Sequence, residues 1–132
     1  MSTFHKSAWI CIQDRKVLFF RNKGKDVFYA PGGKREEGET DEEAVIREIK
    51  EEASVDLKPE TVQFAAEFSA HAHGKADDVT VVLRAYFADY EGIIAPTNEI
   101  AEMIWYRHND RPRTYGVGTQ LLDWLKEKDL ID

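Results

Sequence analysis

Residues Gly33 to Val55 read GKREEGETDEEAVIREIKEEASV and set the architecture of this 132-residue chain. Thr40 is followed three residues later by Glu43, which is the pattern of a capping box at the start of a helix. Apolar residues then recur at helical spacing on one face, namely Val45, Ile46, Ile49 and Ala53. We therefore predict an amphipathic helix from Thr40 to about Ala53 that packs against a sheet.

Glu48, Glu51 and Glu52 lie on a second arc of the same predicted helix. Their i, i+3, i+4 spacing places them within roughly 100° of one another, beside the apolar face. Like charges at this spacing repel, and Mg²⁺ or Mn²⁺ would remove the repulsion by binding carboxylate oxygens while keeping positions for water and phosphate. The alternative is an ordinary solvated face, because nine acidic residues lie between Glu36 and Glu52.

Strand patterns lie on both sides of this helix. Residues 4–12 and 16–21 predict a hairpin with a turn at 13–15, and the apolar residues 28–30 lead into the turn residues 31–33. Residues 62–69, 79–88 and 103–107 are typical of strands, and residues 117–128 predict a second amphipathic helix. No repeat or linker divides the chain. The pattern predicts one domain, 1–132, of the α/β or α+β class, with a sheet covered by helices.

The Gly33–Val55 window resembles a known family motif, the Nudix box, written G-x5-E-x7-R-E-U-x-E-E-x-G-U with U aliphatic. Gly33, Glu39 and the run from Arg47 to Val55 match its fixed positions, except that Ser54 replaces a glycine. After a helix, glycine readily adopts the left-handed conformation, which costs other residues roughly 1 kcal/mol. Ser54 therefore either adopts this conformation at some cost, or the helix ends differently.

The resemblance implies a Nudix fold, in which a mixed sheet is sandwiched between helices. It also implies hydrolysis of a nucleoside diphosphate linked to a group X, with Mg²⁺ or Mn²⁺ as cofactor. Arg47 and Glu39 would form the ion pair that holds the helix and the preceding loop in place. The implied metal ligands are Glu48, Glu51, Glu52 and the carbonyl of Gly33.

The implied reaction also needs a carboxylate that accepts the proton of the attacking water. Glu51 and Glu48 are the candidates within the box. MutT-like members often use a further acid from a loop outside the box, and Glu99 lies where such a loop is expected. We therefore nominate Glu99 as a base and metal ligand, with a surface glutamate as the alternative.

Four residues near the box are weaker candidates for substrate contacts. Lys34 and Arg35 could bind phosphates, Tyr29 could stack on a base, and His71, in a His-Ala-His sequence, could bind metal or phosphate. An ordinary surface or loop position is the alternative for each of them.

The resemblance is strongest to small MutT-like nucleoside triphosphate pyrophosphohydrolases, which release a monophosphate and pyrophosphate. Markers of other subfamilies are absent: no Ser-Gln-Pro-Trp array follows the box, and Ala70 and His71 occupy the positions of a marker proline or tyrosine. Hydrolysis of ADP-ribose or another nucleotide derivative remains an alternative. A catalytically silent nucleotide sensor is another, although it would not need all three glutamates.

Composition limits the partners and the compartment. The chain has 18 basic and 25 acidic residues and a net charge of −7, which disfavours nucleic acid polymers and anionic membranes. Its single cysteine, Cys11, excludes an internal disulfide and is predicted to be a buried, inert thiol. No apolar run approaches the ~18 residues of a membrane span, and the first residues lack a signal-peptide core. We expect a cytoplasmic protein that binds a small nucleotide; a homodimer is left open.

Overall fold

The computed structural model describes residues 2–72, 78–97 and 99–132. Within these ranges the helices are α1 (Asp41–Ala53) and α2 (Val117–Glu127), and short 3₁₀ turns span Pro59–Thr61 and His108–Arg113. The strands are β1 (Ser2–Ile10), β2 (Ile12–Gln13), β3 (Lys16–Asn22), β4 (Gly32–Lys34), β5 (Asp56–Leu57), β6 (Gln63–His71), β7 (Val79–Phe87), β8 (Tyr90–Glu91) and β9 (Ile100–Tyr106).

The largest sheet has the strand order β4-β1-β7-β6. Its central strands β1 and β7 are parallel, whereas β4 and β6 pair antiparallel with their neighbours, so the sheet is mixed. Strands β2, β3 and β9 form an antiparallel sheet, and β5 pairs with β8. The expectation of a mixed sheet is confirmed.

The two helices pack on opposite sides of the strands. Successive side chains of a strand point to opposite faces. Trp9 and Leu18 accordingly belong to the buried cluster that contains Val45 and Ile49 of α1. The adjacent residues Ile10 and Phe19 belong to the cluster built around Leu121, Leu122 and Leu125 of α2. This alternation produces the predicted helix–sheet–helix arrangement.

The hairpin at residues 13–15 is confirmed, but it joins β2 to β3. Asp14 and Arg15 both have positive φ, 52° and 61°, as the tight hairpin turn that matches strand twist requires. The predicted strand 4–12 is interrupted at Cys11, because β1 pairs with β7 and β4 while β2 pairs with β3. The pairs β5–β8 and β1–β4 were missed because strands of two or three residues show no periodicity.

Cys11 is 5% exposed, and burial raises the pKa of its thiol to about 12. The thiol is therefore protonated at neutral pH, as expected for an inert packing residue. Neither helix within the described residues is long and apolar enough to cross a membrane.

Candidate active site

Helix α1, which carries the three glutamates of the arc, begins at a capping box. The Thr40 hydroxyl accepts a hydrogen bond from the Glu43 N–H at 3.1 Å, and the Glu43 carboxylate accepts one from the Thr40 N–H at 2.8 Å. The predicted capping box is therefore confirmed. The buried face of α1 comprises Ala44, Val45, Ile49 and Ala53. Packing of this face orients the Glu48–Glu51–Glu52 arc beside the edge strand β4.

Gly33 of β4 lies directly against the Glu48 carboxylate. A Cβ built on Gly33 would lie 2.5 and 2.7 Å from the two carboxylate oxygens of Glu48, closer than any side chain tolerates. The Glu48 side chain is 17% exposed. A glycine at position 33 thus makes the space that this carboxylate occupies.

Arg47 connects the helix to the loop before it. Its Nε donates to Glu39 at 2.7 Å and its Nη2 donates to the same carboxylate at 3.1 Å. Nη2 also donates to the Lys34 carbonyl at 3.1 Å. The hydrogen bond from Arg47 lowers the pKa of Glu39. Two parallel bonds of this kind fix the angle between guanidinium and carboxylate, which orients the loop relative to α1.

The same guanidinium also contacts two glutamates of the acidic arc. Arg47 Nη1 donates to Glu48 at 3.0 Å and to Glu51 at 3.3 Å. Glu51 is the most accessible of the contacted carboxylates of the arc, with 58% of its side chain exposed against 17% for Glu48. Arg47 therefore offsets part of the repulsion within the arc.

Glu52 is the most perturbed carboxyl group of the arc. Burial raises its pKa to about 8, although a hydrogen bond from the Gly32 N–H at 3.1 Å opposes the shift. Burial also raises the pKa of Glu48, and the neighbouring carboxylates add smaller effects. Desolvation is therefore the main cause of the raised pKa values in this cluster, and repulsion between the carboxylates is a minor one.

The residues of the arc fit a hard divalent cation by their chemistry. They are carboxylates, two of them partly desolvated with raised pKa values, so a cation would restore their charged form. Their side chains do not converge on one point, however, and no described residues form a group of three acids, histidines or cysteines at metal-binding distances. Their present partners are Arg47 and the Gly32 N–H.

The segment before β9 covers the C-terminal end of α1. Ala95 N–H donates to the Ala53 carbonyl at 2.9 Å, and Thr97 N–H donates to the Glu52 carbonyl at 3.1 Å. The Thr97 hydroxyl also donates to the Glu51 carbonyl. These bonds satisfy carbonyls that a helix end leaves without partners, and they join the segment to the residues of the acidic arc.

Glu99 follows this segment and is exposed. Its carbonyl accepts a hydrogen bond from the Lys23 N–H at 2.8 Å, and its charge contributes to the raised pKa of Glu52. It therefore lies within electrostatic reach of the arc without joining a group of converging acids.

A cavity of about 270 Å³ opens beside Glu52. One face of the mixed sheet lines it, since Phe4 and Lys6 of β1 alternate with residues that point the other way. Its aromatic lining residues include Tyr29 and Tyr115. The volume is slightly below the usual range of small-molecule sites, about 300–1,000 Å³, so it suits one compact group.

Three of the four weaker candidates line this cavity: Lys34, Tyr29 and His71. Arg35 does not; it pairs with Asp41 at 3.3 Å instead. The phosphate contact predicted for Arg35 stays a prediction. The neighbouring His73 lies outside the described residues.

Sequence reasoning missed Lys6 and Tyr115, which also line the cavity. Lys6 had no local signal, because its chain neighbours His5 and Ser7 are also polar and the first half of β1 is not buried. Tyr115 had none either, since its hydroxyl meets His71 Nδ1 at 3.2 Å only through the tertiary fold.

The family model of the NUDIX domain matches residues 3–125 of the chain. Among solved structures, the Escherichia coli ORF135 protein is 22% identical with a TM-score of 0.73, covering 96% of this chain and 92% of that one. A MutT NUDIX hydrolase from Burkholderia pseudomallei is 20% identical with a TM-score of 0.76, covering 92% and 96%.

A bifunctional NMN adenylyltransferase/ADP ribose pyrophosphatase from Francisella tularensis, complexed with AMP and manganese, is 21% identical with a TM-score of 0.68. It covers 96% of this chain and 42% of that one. At these identities the structures share the fold with this chain. No curated protein sequence matches it significantly.

Proposed function

This chain belongs to the NUDIX family of hydrolases, and on that premise we propose that it is a divalent-metal-dependent nucleoside triphosphate pyrophosphohydrolase. It would convert a nucleotide into its monophosphate and pyrophosphate, as MutT-like enzymes do. The substrate is a small molecule, consistent with a cavity of about 270 Å³.

The position of Glu52 is the observation that supports this function best. Glu52 belongs to the acidic arc of α1, and it also lines the cavity. A nucleotide whose base occupies the cavity would therefore extend its phosphate chain toward the carboxylates. This arrangement suits a substrate that is held at one end and cut at the other.

We assign the metal to Glu48, Glu51 and Glu52, with the Gly33 carbonyl and Glu99 as further ligands. When bound, Mg²⁺ or Mn²⁺ would neutralise phosphate oxygens and lower the pKa of a water. Arg47 would hold the helix and the loop in register through its two bonds to Glu39.

A carboxylate of this chain would then accept the proton of the water as its oxygen attacks phosphorus in line. Glu51 has the greatest exposure among the carboxylates that Arg47 contacts on the arc, which favours access by water. Glu48 and Glu99 are the other candidates for this step.

Phosphate and pyrophosphate release from a panel of nucleotides with Mg²⁺ tests the function. We expect pyrophosphate from at least one nucleoside triphosphate and none after EDTA treatment. Glu52→Gln should lower kcat by at least ~100-fold, since metal and base effects are each typically worth 10²–10⁴. Glu42→Gln, a change at an exposed glutamate of the same helix, should leave kcat unchanged.

Other outcomes have distinct meanings. AMP released from ADP-ribose, with triphosphates left intact, would assign the alternative substrate class. Nucleotide binding without any hydrolysis would identify a sensor, and activity that persists in EDTA would contradict the metal assignment.

We further propose that the protein works in the cytoplasm without nucleic acid polymers or membranes as partners. Its net charge of −7 supports this, because such surfaces are themselves anionic. Sedimentation equilibrium distinguishes a monomer from the homodimer that the sequence leaves open.

A further inference from the structure

We propose that Lys6 binds the phosphate that stays on the nucleotide after cleavage, so that the cavity holds nucleoside monophosphates in preference to uncharged nucleosides. This inference rests on the proposed function, because it assumes that the cavity receives the nucleoside end of the substrate.

The first observation is where the sheet places Lys6. It lies on the central strand β1, opposite Leu83 of β7 and Lys34 of β4. All three side chains line the cavity. The strand pairing thus brings the side chains of two lysines to one face of the sheet, in the cavity that Glu52 also lines.

The second observation is that neither ammonium has an anionic partner of its own. Among the described residues, no ion pair includes Lys6 or Lys34. Each instead lies near an aromatic ring: Lys6 Nζ is 5.4 Å from the ring centre of Tyr29, and Lys34 Nζ is 4.2 Å from that of Phe4. Like charges directly opposite across strands destabilise a sheet, so an anion between them would be stabilising.

The acidic residues nearest to Lys6 do not supply the anion that the two lysines lack. Burial lowers the pKa of Lys6, and the charges of Glu52 and Glu48 oppose this shift without forming an ion pair with it; both glutamates are assigned here to the metal. With the metal bound, these two carboxylates would interact with it and would no longer balance the charge of Lys6. A phosphate is then the anion that the two lysines would share.

The shape of the cavity indicates which phosphate this is. Lys6 is within electrostatic reach of Glu52, where cleavage is proposed, and its Nζ lies 5.4 Å from the ring centre of Tyr29, on which a base would stack. In a nucleotide bound this way, the phosphate attached to the sugar comes next to Lys6. That phosphate is retained by the monophosphate product.

Calorimetric titration of the protein in excess Mg²⁺ with the four common ribonucleoside monophosphates and with the matching nucleosides tests this. Monophosphates are products, so binding is measured without turnover. We expect the wild type to bind at least one monophosphate about 10-fold more tightly than its nucleoside, as one charge-assisted hydrogen bond provides. Lys6→Met should remove most of that difference while leaving the nucleoside Kd unchanged, because only Lys34 then remains, and Lys6→Arg should restore most of it.

Lys126→Met is the matched control, because Lys126 is an exposed residue of α2 outside the cavity. Circular dichroism establishes that each variant is folded, and Lys6→Gln replaces Lys6→Met if the latter is not. Monophosphate binding that is unchanged in the folded variant, or lost equally for the nucleoside, overturns the proposal. So does a wild type that does not distinguish the two ligands.

Failure of this inference is separable from failure of the proposed function. If the phosphate preference depends on Lys6 but the protein hydrolyses no nucleotide, the binding site is supported and the proposed enzymatic function is wrong. If the protein hydrolyses nucleotides without this preference, the proposed function is supported and the role of Lys6 is wrong.

Discussion

Ser54 is the residue at which the stretch Gly33–Val55 departs from the motif that it resembles. Its backbone is left-handed, with φ 67° and ψ 16°, and its N–H donates to the Lys50 carbonyl at 3.2 Å. The helix therefore ends in the conformation that glycine would adopt more easily. The Ser54 hydroxyl donates to the Ala95 carbonyl at 3.2 Å, an interaction that glycine could not make.

Two substitutions separate the backbone cost from the hydroxyl bond. Ser54→Gly relieves about 1 kcal/mol of backbone strain and loses a hydrogen bond of similar size, so we expect a neutral or slightly stabilising effect. Ser54→Ala keeps the strain and loses the bond, so it should destabilise by about 1 kcal/mol. Urea unfolding measures both, and a Ser54→Gly variant less stable than Ser54→Ala would contradict this account.

At the scale of elements, the C-terminal end of α1 and the segment before β9 behave as one unit. The backbone bonds of Ala95 and Thr97 and the Thr97 hydroxyl join them. Glu99 is two residues beyond Thr97, so the position of its carboxylate relative to the arc depends on these bonds.

We expect Glu99→Gln to lower kcat more than it changes KM, because a base acts as the water loses its proton. Thr97→Val should shift kcat in the same direction by a smaller factor, since it removes only the hydroxyl bond. Steady-state kinetics measure both, with Glu60→Gln, an exposed glutamate of a 3₁₀ turn, as control. Full activity of Glu99→Gln would leave the proton transfer to Glu48 or Glu51.

At the scale of the whole molecule, the partly buried carboxyls link stability to pH and to metal. The pKa of Glu52 rises from 4.5 to about 8 on folding, so the folded state binds this proton more tightly than the unfolded state. Between these pKa values the unfolded state has lost the proton and the folded state retains it. The contribution of Glu52 to stability is therefore lost as pH rises through this range.

Thermal unfolding in EDTA should accordingly show Tm falling as pH rises from about 6 to about 8, with a shallower slope in Glu52→Gln. Mg²⁺ should raise Tm, and by more at the higher pH, because metal binds the deprotonated carboxylate. Glu42→Gln should follow the wild type in both series. A Tm that Mg²⁺ does not change at any pH would contradict the metal assignment.

Much of the fold could be predicted because its signals are local. The capping box at Thr40 and the apolar spacing of α1 predicted the helix to within one residue. The alternating strands predicted a sheet covered by helices. The pairing of β1 with β7 could not be predicted, because it joins segments more than seventy residues apart without a local pattern.

By itself the sequence determined that Glu48, Glu51 and Glu52 share one arc beside an apolar helix face, because that follows from 3.6 residues per turn. Only the tertiary structure decided how they differ: Glu52 reaches the cavity, Glu48 fills the space at Gly33, and Glu51 remains exposed. Burial and contacts across the sheet depend on elements distant in the chain. The same reason hid Lys6, whose place beside Lys34 and Leu83 exists only once three strands have paired.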